Sequence, residues 1–206
     1  MRKIDKGNPI PSFSEFVTRQ HPAKWDDSKD VSRVWREYIL VYEQHGLSGY
    51  TENPINLDSS HIDHFYKQSL FNKLVFDWKN LVVDSKDASY GAKFKDEFVR
   101  TKADNVKLIN PVTEDACRYF QYELNGRISV ANGLSDQDKE RAEFTRDAFN
   151  LNESSLVERR RIIINIILDS FKDLSDEMIL EALAPEGFTS VVEQLLKERS
   201  IEEESI

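Results

Sequence analysis

RYFQYELNGRISV, residues 118–130, carries the strongest local instruction in the chain. Two β-prone runs flank Asn125-Gly126, a pair that favours a two-residue type I′ turn, so the stretch predicts a tight antiparallel hairpin. Beyond it the pattern is helical. Ser135 opens one helix to about Phe149. Asn152 or Ser154 opens the next, with Leu156, Ile163, Ile164, Ile167, Leu168 and Phe171 on its buried side. Two shorter helices follow near 175–183 and 189–199, and the final IEEESI reads as a frayed end.

The first hundred residues are less regular. Pro9, Pro11 and Pro22 break residues 1–28. Helical spacing of Val31, Val34, Trp35, Tyr38, Ile39 and Tyr42 predicts a helix from about Asp30 to His45, stopped by Gly46. HIDHF at 61–65 and LVV at 81–83 read as short strands. A polar helix follows over about 87–100, with Phe94, Phe98 and Val99 inward, and KLIN at 107–110 reads as a strand. These elements predict an α+β fold, organised as residues 1–103 and residues 104–206.

At 206 residues the chain can hold one core, or a small core with a subdomain. No run approaches the ~20 apolar residues that span a bilayer, and MRKIDKGNPIPSF lacks the apolar centre of a secretory signal. One cysteine, Cys117, rules out an internal disulfide framework and a Cys₄ zinc site. A cytoplasmic location is expected. The net charge of −9 argues against a free-standing, generally basic nucleic-acid binder, but not against a local basic patch or a basic partner.

The chemistry concentrates in SSHIDHFYKQ, residues 59–68. Phosphodiester hydrolysis needs a base to activate water, and histidine suits it because its ordinary pKa lies near ~6.5. A carboxylate suits a hard Mg²⁺ or Mn²⁺ ion that would stabilise the phosphate. Side chains alternate along a strand, so His61 and Asp63 share a face and His64 points away unless the strand ends there. An H-x-x-H pair alone is a weak signal, equally served by surface histidines or by histidines bonded to a local loop. The order that follows, a loop, FDWKNLVV and a polar helix, is that of a His-Asn-His (HNH) nuclease motif, a ββα-metal unit.

Several segments carry a closer resemblance. GLSGYTENPI, HIDHFYKQSLF, FDWKNLV and YGAKFKD, with VWREYILVYEQHGLSGY before them and INPVTEDACRYFQYELNGRISVANGLSDQDKERAEFTRDAFNLN and ESSLVERRRIIIN after them, resemble in order the HNH nuclease subunit of Septu-type and retron-associated anti-phage systems (PtuB-like proteins) over roughly residues 1–170. The resemblance implies a metal-dependent endonuclease acting on DNA or RNA, tRNA included, as the toxic effector beside an ABC-type ATPase. In retron-linked systems a reverse transcriptase and its RNA–DNA product would hold the assembly silent. It implies His64 as general base, Asp63 as metal ligand and Asn80 as brace of the loop carrying that histidine. His61 would assist the metal or orient the phosphate. The metal ligand from the helix falls at Asp87 or Ser89; a carboxylate is the better hard-metal ligand, whereas Ser89 holds the family position.

This chain departs from the family at a structural zinc site. Relatives carry cysteines where it has Ser48, Thr51, Ser85 and Tyr90, so no structural zinc is expected, and hydroxyl hydrogen bonds with packing by Tyr50, Tyr90 and Trp78 must replace the metal. Lys67 and Gln68 replace the family's Pro-Lys pair, leaving Lys67 as a phosphate contact. Lys86, Lys93, Lys95, Arg100 and Lys102 read either as a phosphate track or as a solvated helix face. Arg159, Arg160 and Arg161 read as a helix flank or as a partner contact. Two alternatives stand beside the nuclease: a non-catalytic adaptor that keeps the scaffold to bind the ATPase, and a helical DNA-binding regulator.

Overall fold

The computed structural model describes residues 1–204. The fold is α+β. Two helices lead, α1 (Pro11–Gln20) and α2 (Ser32–Tyr38), the second running on through a wider π turn at Ile39–Glu43. β1 (Ser60–His64) and β2 (Leu81–Ser85) then pair antiparallel, His61 opposite Asp84 and His64 opposite Leu81. α3 (Gly91–Phe98) follows and packs on β2. After α4 (Lys102–Lys107), β3 (Phe120–Tyr122) and β4 (Ile128–Val130) form a second antiparallel pair. α5 (Asp136–Ala148), α6 (Ser154–Asn165), α7 (Asp176–Leu183) and α8 (Thr189–Glu204) complete the chain. Among the described residues no helix is long and apolar enough to cross a membrane.

Several local expectations change. Pro11 does not break the N-terminal segment but opens α1 at its first position, where a missing N–H costs nothing. KLIN is not a strand: Thr101 and Asp104 form a reciprocal cap that starts α4, which runs to Lys107. The 118–130 hairpin stands, with a different turn. Gly126 N–H donates to Glu123 O and Glu123 N–H to Arg127 O, with positive φ at Gly126 and not at Asn125. That is a type I turn closed by a glycine bulge rather than type I′. A Cβ on Gly126 would lie 2.2 Å from Val157 O, so α6 itself demands glycine there. Leu168 and Phe98, expected inward, are exposed. The fraying expected over 201–206 is not seen through Glu204, and residues 205 and 206 lie outside the described residues.

Two apolar clusters share β2 as a wall. Val82 and the neighbouring Phe65 join the main core, with Tyr50, Phe149, Ile163 and Val191. Leu81 and Val83 join an aromatic cluster with Phe13, Trp35 and Trp78. Strand alternation sends successive side chains to opposite faces. The main core draws residues from both sides of the 103/104 boundary, from Met1 to Leu196. Arg160 is buried in it, donating to Gly126 O (2.6 Å) and Leu151 O (2.9 Å), and burial pulls its pKa down to about 10. Arg159 bonds Asn53 and Arg161 pairs with Glu158, so the arginine triplet is committed within the chain.

Candidate active site

His64 ends β1 with its ring between two partners. Val75 O lies 2.9 Å from Nε2, and a carbonyl only accepts, so Nε2 carries the hydrogen. Nδ1 is then the free lone pair, and the exposed Gln68 donates to it from 3.0 Å. Trp25 meets the ring edge-to-face at 4.6 Å. Burial lowers the His64 pKa, partly opposed by the Val75 bond, and so favours the neutral ring with an unprotonated nitrogen.

Asn80 fixes the loop around this ring. Its Oδ1 accepts from Tyr66 N–H (2.7 Å), and its Nδ2 donates to Tyr66 O (3.1 Å) and Leu74 O (2.9 Å). One side chain thus ties the residues after His64 to the carbonyl adjoining Val75. Asn105, absent from the sequence expectations, braces the same turn from α4: its Nδ2 donates to Phe65 O (3.0 Å) and its Oδ1 accepts from Lys67 N–H (2.8 Å). An asparagine on the second α-helix after the box carries no pattern that would have singled it out.

Asp63 faces the other way, into the core. Its Oδ2 accepts from Tyr50 OH and from Lys95 Nζ, both at 2.6 Å. Lys95 is fully buried, and it also donates to His64 O at 3.0 Å. It is therefore an internal counterion, not the surface phosphate contact expected of it. Burial pushes the Asp63 carboxyl up, but the Lys95 charge and the bonds from Lys95 and Tyr50 outweigh it and hold the group below the usual carboxylate range. His61 lies half-buried with Nδ1 unpartnered, and burial lowers its pKa. His61, Asp63, His64, Lys67, Gln68 and Asp96 line one cleft of about 310 Å³.

The expected metal ligands do not come together. Asp87 and Ser89 sit in an exposed turn beyond β2, where Asp87 Oδ1 accepts from Ser89 N–H at 2.8 Å. Among the described residues no three His, Cys, Asp or Glu side chains gather as a metal group. An ammonium already neutralises Asp63, so as arranged this donor set does not fit a divalent cation. Of the expected phosphate contacts, Lys67 donates to Asp96 O and Val99 O and Lys86 to Asp58 O (2.7 Å), while Lys93 is exposed.

At the far end of the β1–β2 pair, Ser48, Thr51, Ser85 and Tyr90 are all buried and are joined in one hydrogen-bond network through Asn53, with Ser48 reaching Asp84. Ser48 Oγ donates to Asp84 Oδ1, Thr51 Oγ1 to Ser48 Oγ (2.8 Å), and Ala92 N–H to Asp84 Oδ2 (2.6 Å). Tyr90 OH bonds the Ser85 side chain and accepts from Asn53 Nδ2. Burial raises the Asp84 pKa to about 7, because those hydrogen bonds only partly offset it and the negative charge of Asp63 adds to the rise. Compared with known proteins, the chain matches no family model and no curated protein.

Proposed function

We propose that the chain is an endonuclease of the ββα type in which His64 is the general base. The carrying observation is the fixed tautomer: Val75 O holds Nε2–H, leaving Nδ1 to take a proton from a water whose oxygen bonds phosphorus as the P–O bond to the leaving sugar oxygen breaks, that oxygen taking a proton from solvent. Gln68 covers Nδ1 and, being exposed, can yield to that water. The order β1, β2, α3, the Asn80 brace and the network joining Ser48, Thr51, Ser85 and Tyr90 support the resemblance to HNH subunits of Septu-type systems. The effector role beside an ABC-type ATPase, with or without a reverse transcriptase and its RNA–DNA product, rests on that resemblance.

A second reading, the non-catalytic adaptor, is favoured by the Lys95–Asp63 ion pair, which occupies the carboxylate that a metal would use. The deciding experiment is cleavage of DNA, RNA and tRNA by the chain purified with the ATPase, comparing wild type with His64→Ala. Loss of cleavage by at least about 100-fold in a folded variant supports the nuclease. Undiminished cleavage and protection with His64→Ala would refute it. The Mg²⁺ or Mn²⁺ dependence implied by the resemblance would require Lys95 to leave Asp63, and the same assay with EDTA reads that out.

A further inference from the structure

Positive charge was expected after the histidine box, yet a further group of cations lies before it in the sequence. A second cleft, of about 250 Å³, opens between the Trp25–Ser28 turn, the start of α2 and β1. Trp25, Lys29, Ser32, Arg33, Arg36 and His61 line it. Lys29 and Arg33 are exposed. Among the described residues none of the three cations takes part in an ion pair. Asp27, in the adjoining Trp25–Ser28 turn, spends its carboxylate on the backbone N–H groups of Ala23 and Lys24.

Two further details suit an anion. Arg36 Nη1 donates to Ser60 O at 2.9 Å, which anchors the guanidinium against β1, while its Nε is buried without a partner. His61 Nδ1, on the same cleft, is likewise buried and unpartnered. Buried donors are normally satisfied, so such atoms call for a ligand that supplies acceptors. Arg33 and Arg36 are three apart on α2 and so lie on one face, and guanidinium forks match phosphate oxygens.

The cleft also adjoins the His64 site. His61 and Ile62 line both openings, and Trp25, one wall of this cleft, touches the His64 ring. We propose that this cleft is a phosphate subsite that binds the backbone of the nucleic-acid strand next to the bond held at His64. The identity of the strand as substrate rests on the nuclease reading; the anion site does not. DNA and RNA both bring the required phosphodiester.

The test is fluorescence anisotropy of the full chain with labelled single-stranded DNA, single-stranded RNA and duplex across a salt series. Wild type, Lys29→Gln/Arg33→Gln and, as a control, Lys172→Gln, an exposed lysine that lines neither cleft, are compared, with circular dichroism to check folding. The double variant is expected to bind about tenfold more weakly and to lose about one unit of salt slope per phosphate contact removed, whereas Lys172→Gln binds as wild type. Preference among the three probes identifies the strand. Cleft-dependent binding, with no cleavage of DNA, RNA or tRNA by the chain purified with the ATPase, supports the subsite and removes the nuclease reading. Equal binding by the double variant, absence of salt-dependent binding in wild type, or equally strong competition by a polyglutamate peptide overturns the proposal.

Discussion

Asp63 and Asp84 lie on paired neighbouring strands, and both are buried, at 5% and 0% exposure, yet burial leaves them with opposite electrostatics. Asp63 has the Lys95 ammonium at 2.6 Å and stays ionised. Asp84 has only hydroxyl and amide donors, and its pKa rises to about 7. The desolvation cost is common to both, so the partner decides the charge state. One end of the hairpin is thus built as an ion pair and the other as a neutral hydrogen-bonded knot.

The largest effect should come from removing the counterion. Lys95→Met leaves Asp63 buried and unpaired, and is expected to cost about 3–5 kcal/mol in chemical denaturation. Asp63→Leu combined with Lys95→Met should recover much of that loss; a double variant as unstable as the single would show that the pair is not the source. Next is Asp84→Asn. The native state holds a proton on Asp84 that the unfolded chain releases near pH 4, so stability falls as pH rises from about 4 to about 7, then levels. Asparagine should therefore stabilise by on the order of 2–3 kcal/mol at pH 8 and by little at pH 4. A pH-independent effect would mean that Asp84 is charged like Asp63. The smallest is Gly91→Ala. Gly91 has φ +70°, and a Cβ would lie 2.2 Å from Asp84 Oδ2, so a loss of about 2 kcal/mol is expected, reduced in the Asp84→Ala background.

The strands read at 61–65 and 81–83 were legible because alternation and element order leave local patterns, whereas Asn80 was singled out only by the family resemblance. The role of Lys95 was obscured by its charge, which reads as surface. Its spacing held the information: Ala92, Lys95 and Val99 fall at i, i+3 and i+7, one helical face, and all three are buried. Asp87 was favoured for ligand chemistry, which says nothing about where a turn points. Pro11 was read as a breaker because the identity of proline does not tell whether it ends one element or opens the next. The cleft around Lys29, Arg33 and Arg36 could not be read at all, since it exists only where α2 crosses β1.

Because β2 gives alternate side chains to opposite clusters, neither cluster has a wall of its own. Loosening the aromatic side removes the backing from Val82, and loosening the core side removes it from Leu81 and Val83. The loop after His64 hangs from the same strand through Asn80. The shared strand therefore ties the geometry around the His64 ring to both clusters, so a substitution in either interior is expected to be felt at that ring.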